Sequence, residues 1–337
     1  KKEFEKKFRE KTQNSWAARE NFIARPGKYT LIEVQPGVEQ EVEVALRVDD
    51  VDGDKVCKKR VLPCTLDKAT QDLVSLIFSN DMFRDAMQTM NIGRRCWVLA
   101  DIEVAQSLQA QKVKEEEEEE VAHPLDQDYA LLCCQLSLLD PASREYQLIQ
   151  NYVTQTGDNL CILNIWQVAR DGEDERFKAH DLLEHRRLLW HGTNVAVIAA
   201  ILKSGLRIMP HSGGRVGKGI YFASENSKSA RYVQCTSKNV GIMCLSEVAL
   251  GKSYRITSDD PTLCQPPAGY NSVLACCQTE PDPAQDEEVL LDGKKVLVCQ
   301  GKPIPMPAYK GSSFSQSEYL IYQESQCRIR YLVQLRF

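Results

Sequence analysis

The sequence predicts an α+β fold for residues 122–337, and three observations lead to this class. A helical pattern at 143–154 is followed by segments rich in β-branched and other apolar residues. Polar, proline-rich stretches at 265–286 and 301–307 interrupt these segments and are expected to be loops. No strand–helix–strand rhythm repeats, so a doubly wound parallel sheet is not expected. The predicted strands are 161–169, 187–191, 219–223, 240–249, 318–322 and 329–337.

Length and composition limit the remaining possibilities. A chain of 337 residues exceeds one small core, so two or three domains are expected. No run of about 18 uncharged apolar residues exists, and the charged N-terminus lacks the apolar segment of a secretory signal. We therefore expect an intracellular protein that neither crosses a membrane nor is secreted. The thirteen cysteines lack CxxC spacing, which favours reduced thiols over zinc ligation or disulfides.

Charge divides the chain unevenly. The first 28 residues carry nine Lys or Arg against four Asp or Glu, although the net charge is −5. A basic face could meet nucleic acid, but charge alone favours a solvated surface. Six consecutive glutamates at 115–120 are unsuited to a buried helix. We therefore interpret 113–121 as an acidic linker.

The first 112 residues divide into three parts. In 1–48 a charged helical run leads into a Pro-Gly turn and two predicted strands, 29–34 and 41–48. Residues 49–60 are interpreted as a linker. In 61–112, Leu66, Ala69, Leu73 and Ile77 have helical spacing, and further helices are predicted at 83–90 and 95–112.

A glycine stands where a flat ligand could approach the backbone. Trp190-His191-Gly192-Thr193 follows an apolar strand and precedes a predicted helix, 194–204. Because Gly192 has no side chain, its N–H and C=O can both reach a carboxamide. For an isolated His-Gly pair, a core histidine beside a turn glycine is the commoner explanation.

Two tyrosines flank a serine shortly afterwards. Tyr221 lies in a predicted strand, and Ser224 is predicted to cap a helix that continues to residue 234. Ser229 and Tyr232 would share one face of this helix. The tyrosines could hold a cationic aromatic ring while the serine bonds its amide substituent. Tyrosines buried in the core are the alternative explanation.

A carboxylate opens a later apolar strand. Glu318 would share a face with Leu320 and Tyr322, opposite Tyr319. The plain alternative is a carboxylate at the solvent end of its strand.

Other catalytic motifs do not match. The Gly-rich stretch 213–219 has Ser212 and Gly219 where a Walker loop needs Gly and Ser or Thr. The histidines do not form HExxH, and no GxSxG occurs, so a zinc or serine hydrolase is not expected.

Together these segments resemble a known family. The series HGT, GKGIYFA…SKSA..Y and S.SEY.IY is similar to the PARP-type, diphtheria-toxin-like ADP-ribosyltransferases, and the likeness covers residues 122–337. Residues 1–48 resemble the back half of a WGR domain, a DNA-end-sensing module, but the Trp-Gly-Arg tripeptide is absent. Residues 61–112 resemble the two ends of the helical regulatory subdomain of these enzymes, without its middle. The whole chain is most similar to the DNA-damage-responsive, mainly mono-ADP-ribosylating branch.

This resemblance implies a fold and a set of roles. The fold would be a mixed or antiparallel two-sheet core after a partial all-α subdomain and a partial WGR-like segment. The catalytic triad would be His191, Tyr221 and Glu318, with NAD+ as substrate and no metal. The remaining NAD+ contacts would be Gly192 and Ser229 on the carboxamide, Tyr232 with Tyr221 on the nicotinamide ring, and Thr193 and Arg207 near adenosine. Phe222 and Lys228 would be further NAD+-binding residues.

The implied chemistry is transfer of ADP-ribose to protein. Cleavage of the nicotinamide–ribose bond passes through an oxocarbenium-like state, and nicotinamide departs neutral, so one carboxylate suffices. Expected acceptors are proteins, including the chain itself, in the nucleus. Without the middle of the helical subdomain, activity is expected to be independent of DNA breaks. The alternatives are an NAD+- or ADP-ribose-binding module with little turnover and a DNA-responsive scaffold.

Overall fold

A computed structural model describes Arg9, Asn14 and residues 43–44, 59–79, 120–157, 159–209 and 213–337. The strand predicted at 29–34, the helices predicted at 83–90 and 95–112, and most of the two predicted linkers lie outside these residues. The chain divides into two compact units, Lys1–Val61 and Leu62–Phe337. In the first unit, strands β1 (Glu43–Val44) and β2 (Lys59–Val61) pair antiparallel, with Glu43 opposite Arg60.

The described part of the second unit combines short helices with many strands. Its α-helices are α1 (Lys68–Ile77), α2 (Pro124–Leu131), α3 (Arg144–Thr156), α4 (Glu173–Lys178), α5 (Ile198–Ser204) and α6 (Asn226–Ala230). Its strands are β3 (Glu120–Val121), β4 (Cys134–Leu138), β5 (Cys161–Arg170), β6 (Arg186–Gly192), β7 (Ile220–Phe222), β8 (Val240–Ala249), β9 (Ser253–Ile256), β10 (Ser272–Ala275), β11 (Thr279–Pro281), β12 (Glu287–Leu291), β13 (Lys294–Val298), β14 (Pro303–Pro305), β15 (Glu318–Ile321) and β16 (Cys327–Arg336). Single 3₁₀ turns lie at Val195–Val197, Pro283–Gln285, Pro307–Tyr309 and Glu324–Gln326.

Two mixed sheets dominate the described residues of this unit. One has seven strands in the order β12-β13-β6-β8-β16-β5-β4, in which only the β13–β6 pair is parallel. The other has the order β7-β15-β10-β9, with β9 and β10 parallel. Strands β11 and β14 form a separate antiparallel ribbon. The prediction of an α+β fold with mixed sheets is therefore confirmed.

Helices cover both faces of the seven-stranded sheet. On one face, Ile149 and Tyr152 of α3 pack against Leu188 and Met243. On the other, residues of α1 and α5 pack in one cluster with Trp166 of β5 and Leu189 of β6. The Trp166 indole donates a hydrogen bond to the Thr70 hydroxyl at 3.0 Å, which fixes α1 to this sheet. The described helix of the 61–112 segment thus shares its core with residues 122–337.

The six strands predicted within residues 122–337 are all present. Strand β8 has the predicted bounds, and β5, β6, β7, β15 and β16 differ from theirs by one or two residues. The prediction of loops at 265–286 and 301–307 was wrong in part, because β10, β11 and β14 lie there. In the β11–β14 ribbon Pro281 stands opposite Pro303. Proline is tolerated at such strand edges, where its missing N–H breaks no ladder bond.

Two further properties concern the described residues. The described cysteines are free thiols, and more than half of them are buried. No helix in the described ranges is both long enough and apolar enough to cross a membrane.

Candidate functional site

Strands of both large sheets meet at the predicted site. Trp190 of β6 and Ala223, directly after β7, exchange backbone hydrogen bonds of 2.9 and 3.0 Å. In turn β7 pairs with β15, so that Tyr221 stands opposite Leu320. This arrangement brings the ends of β6, β7 and β15 together, although they are far apart in the sequence.

His191 is oriented by the neighbouring strand. Its Nδ1 lies 2.8 Å from the carbonyl oxygen of Tyr221. A neutral ring that donates from Nδ1 to this oxygen leaves Nε2 as a hydrogen-bond acceptor. Burial lowers the pKa of His191 below its ordinary 6.5, and the bond to Tyr221 only partly opposes this shift. The ring is therefore neutral at physiological pH.

This pKa shift predicts a pH-dependent loss of stability. Between the folded-state pKa and about 6.5 the unfolded chain binds more protons at His191 than the native protein does. Stability therefore rises with pH through this window and is lost as the pH falls through it. We expect the melting temperature of His191→Asn, which keeps a donor at the Nδ1 position, to depend less on pH between about 5 and 7 than that of the parent.

Burial also lowers the pKa of His180, so the same comparison is made with His180→Asn. Each single variant is expected to reduce the dependence of melting temperature on pH in part, and the double variant is expected to reduce it further. A His191→Asn slope equal to the parent's would show that His191 does not titrate in this way.

Gly192 and Ser229 join β6 to α6. A Cβ added at Gly192 would overlap the carbonyl oxygen of Ser229, so only glycine allows the helix to lie this close to the strand. The Ser229 hydroxyl donates to the carbonyl of Trp190 at 3.0 Å. Its oxygen keeps lone pairs that can accept a further hydrogen bond. The strand end and the buried serine thus lie side by side, as a carboxamide site requires.

Tyr221 is fixed through its hydroxyl. The hydroxyl donates to the carbonyl of Gly217 at 2.7 Å and accepts the N–H of Val216 at 3.1 Å. Burial raises the pKa of Tyr221 to about 12, so the phenol remains protonated. The Gly-rich loop therefore packs against the tyrosine, and the backbone of Val216 and Gly217 binds the phenol.

Glu318 is buried at the start of β15. It is 4% exposed, so a carboxylate at the solvent end of its strand is the wrong explanation. Its Oε1 lies 2.5 Å from the ammonium of Lys228 on α6. Leu320 packs with Val216, whereas Tyr319 faces the opposite core, as strand alternation predicts. A buried carboxylate needs a partner of opposite charge, and Lys228 supplies one here.

The other predicted contacts differ in exposure. Tyr232 is 61% exposed and lies beyond the end of α6, so the alternative of a core tyrosine is wrong for it. Phe222 is buried, and its ring lies 5.8 Å from that of His191. Thr193 is half-buried directly after β6, and Arg207 is exposed. No contact within the described residues joins Arg207 to the other predicted site residues.

The prediction that Ser224 caps the helix was wrong. Helix α6 begins at Asn226, and Glu225 holds the N-cap position without a side-chain bond to the helix. The Ser224 hydroxyl instead donates to Glu280 at 2.9 Å. Sequence analysis also missed the buried pair of Glu225 and Gln316, because no motif marks either residue.

One group in the described part of the chain could hold a metal ion. Ligand atoms of Cys64, His123 and Asp126 all lie within 4.8 Å of one another. All three already have partners. The Cys64 thiol donates to Asp126 at 3.5 Å, the Asp126 carboxylate also accepts the N–H of Thr65, and Nδ1 of His123 accepts that of Leu125. None of the three is a predicted site residue.

Comparisons with known proteins identify similar sequences. The family described as the poly(ADP-ribose) polymerase catalytic domain matches residues 143–337. A Gallus gallus protein named protein mono-ADP-ribosyltransferase PARP3 is 64% identical over 408 aligned positions, which cover 100% of this chain and 77% of the relative. The Homo sapiens protein of the same name is 48% identical, with 99% of this chain and 77% of the relative covered.

A less similar relative also aligns with nearly the whole chain. Homo sapiens poly [ADP-ribose] polymerase 2 is 28% identical, with 99% of this chain and 69% of the relative covered. The Gallus gallus alignment is longer than the 337 residues of this chain, so that relative has positions without a counterpart here.

Proposed function

Because this chain belongs to the poly(ADP-ribose) polymerase family, we propose that His191, Tyr221 and Glu318 carry its reaction. The chain is an NAD+-dependent protein mono-ADP-ribosyltransferase. In this reaction the bond between nicotinamide and ribose breaks, and its electron pair leaves with nicotinamide. The anomeric carbon then bonds to a nucleophile of a protein acceptor. A hydroxyl or amine acceptor releases its proton to solvent, and an ionised carboxylate has none to release.

The position of Glu318 carries this proposal. The buried carboxylate accepts a hydrogen bond from the 2′-hydroxyl of the nicotinamide ribose and stabilises the positive charge that develops on the sugar. The Lys228 ammonium lies 2.5 Å from the carboxylate and gives the buried charge a partner. Because the leaving group is cationic in the ground state and neutral after departure, no acid is needed to protonate it.

The neighbouring residues hold the nicotinamide half of NAD+. The backbone of Gly192 binds both groups of the carboxamide, and the Ser229 hydroxyl adds a third contact. Tyr221 and the exposed ring of Tyr232 stack on the two faces of the cationic ring. Nε2 of neutral His191 accepts a hydrogen bond from a ribose hydroxyl.

The outer contacts are proposed from the family resemblance. Thr193 and the exposed Arg207 lie on the adenosine side, where the guanidinium is available to the ligand. Phe222 acts indirectly, because its buried ring packs against His191. Lys228 acts through Glu318.

The N-terminal part of the chain suggests the setting of this reaction. We propose that residues 1–48 form part of a WGR-like segment, that 49–60 and 113–121 are linkers, and that 61–112 are a shortened helical regulatory subdomain. The alignments with the two relatives named PARP3 cover 99–100% of this chain, so they include these N-terminal residues. A nuclear role in the response to DNA damage follows from the same resemblance.

The shortened helical segment predicts activity that DNA does not regulate. We expect labelled NAD+ to mark the purified chain equally with and without broken DNA, because the missing middle of the subdomain cannot restrain access to the pocket. A denaturing gel measures the label, and intact plasmid serves as the control nucleic acid. Strong stimulation by broken DNA alone would contradict this prediction.

The same gel tests the proposed function. A discrete labelled band indicates transfer of single units to the chain itself. Absence of label, together with a rise in melting temperature on addition of NAD+, would instead indicate a binding module with negligible turnover.

A further inference from the structure

A buried carboxylate that the proposed reaction does not use lies beside α6. Glu225 is 4% exposed, and its two oxygens accept hydrogen bonds from different segments. Oε2 accepts from the amide nitrogen of Gln316 at 2.6 Å, and Oε1 accepts from the Thr279 hydroxyl at 3.0 Å. Burial of a carboxylate is costly unless it is hydrogen-bonded, so these two partners are what make the position tolerable.

Gln316 connects the same two elements a second time. Its amide nitrogen also lies 2.8 Å from the Ser227 hydroxyl, one residue into α6. Gln316 stands two residues before Glu318, just outside β15, where it forms an isolated bridge with Thr279. Three contacts therefore follow one another along α6 and the approach to β15: Glu225 to Gln316, Ser227 to Gln316, and Lys228 to Glu318.

Helix α6 depends on such contacts for its position. It has five residues, and a helix of this length is not stable through its own hydrogen bonds. Its N-cap also lacks a side-chain bond to the helix. The Ser229 hydroxyl and the Asn226 N–H fix α6 to β6 and α3. The bonds of Gln316 to Glu225 and Ser227 fix its start to the approach of β15, where Glu318 lies.

We propose that Glu225 is a positioning residue for Glu318, acting through Gln316 to hold α6 and β15 in the register that the reaction requires. This inference rests on the proposed function, since it assumes that Glu318 acts on the substrate. Glu225 itself does not touch the reacting atoms. Its contribution is to rate, because a small displacement of a catalytic group costs far more in rate than in binding.

The chemistry of the pair explains why a carboxylate is needed. Both partners of Glu225 are donors, and a carboxylate is the side-chain group that offers only acceptors. Glutamine at 225 can keep its bond to Gln316 only by turning its N–H₂ group toward Thr279, whose hydroxyl would then donate to the Ser315 carbonyl 3.0 Å away. The shape would be kept, but the bond to Gln316 would lose the charge that strengthens it.

A pair of exchanged substitutions tests this inference. We expect Glu225→Gln to lower kcat for nicotinamide release about tenfold while the Kd for NAD+ changes by less than about threefold. Gln316→Glu is expected to be impaired as well, because two carboxylates would then meet. The double variant, Glu225→Gln with Gln316→Glu, restores an acid–amide pair with the roles reversed. The Ser227 and Thr279 hydroxyls can each donate or accept, so both tolerate this reversal.

Glu173→Gln is the matched control. Glu173 is a buried carboxylate that pairs with Arg170 and Arg176, and it has no described contact with α6, β11 or β15. We expect this control to lower the melting temperature and to leave kcat unchanged. The two variants are compared by the loss of kcat that accompanies a given fall in melting temperature. If this relation is the same for Glu225→Gln and Glu173→Gln, Glu225 has only a structural role.

The remaining outcomes also decide the matter. Unchanged kcat in Glu225→Gln, or a double variant as slow as the slower single variant, would overturn the proposal. If Glu225→Gln does not fold, Gln316→Glu and the double variant still give the rescue comparison. A parent chain that releases no nicotinamide would overturn the proposed function and this inference with it, whereas an active parent with an unaffected Glu225→Gln would overturn this inference alone.

Discussion

Glu318→Gln is expected to lower kcat for ADP-ribose transfer by about two to three orders of magnitude, which corresponds to about 3–4 kcal/mol of transition-state stabilisation. Glutamine keeps the size of the side chain and an acceptor oxygen but removes the negative charge. Because the charge acts on a positive sugar that exists only in the transition state, the Kd for NAD+ should change little. Nicotinamide release under saturating NAD+ measures kcat, and calorimetry measures Kd.

Glu288→Gln is the control for this substitution. Glu288 is an exposed glutamate on β12 that pairs with Lys295 at 2.7 Å, and its replacement should leave both constants at the values of the parent. A Glu318→Gln variant with kcat within about threefold of the parent's would exclude Glu318 as the charge that stabilises the transition state.

Gly192→Ala is expected to abolish detectable NAD+ binding. The added methyl group would overlap the backbone carbonyl of Ser229, so either β6 or α6 must move. Movement of α6 also displaces Lys228 from Glu318, since both Ser229 and Lys228 lie on this helix. We expect the rise in melting temperature caused by NAD+ to disappear and the melting temperature of the free protein to fall.

Gly311→Ala supplies the matched control, because a Cβ at Gly311 meets no atom within 4 Å. This variant should bind NAD+ as the parent does. A Gly192→Ala protein that is stabilised by NAD+ as strongly as the parent would show that α6 does not need to lie against this strand end.

Sequence predicted those parts of the site that depend on local pattern. The apolar strand before His191 and the alternation around Glu318 are short-range signals, and both strands formed as expected. The sequence also predicted a close approach of another group to Gly192, because this residue has no side chain. In the structure that group is the backbone of α6 as well as any ligand.

The parts that sequence did not predict depend on tertiary partners. Ser224 has the composition of a helix cap, yet Glu280 on β11, 56 residues later, binds its hydroxyl. The burial of Glu225 requires Gln316, which lies 91 residues away. Neither pairing leaves a local signal, since any exposed serine or glutamate would look the same in the sequence. Strand β11 was hidden for a related reason, because its proline suits an edge ribbon as well as a loop.

Intact-mass spectrometry of the purified chain after incubation with NAD+ tests the assignment of a protein ADP-ribosyltransferase most directly. We expect the parent to gain the mass of single ADP-ribose units and Glu318→Gln to gain almost none in the same time. Hydroxylamine treatment would then show whether the acceptors are carboxylates. A parent that releases nicotinamide without any gain in mass, even with an added protein acceptor, would be an NAD+ hydrolase and would contradict the assignment.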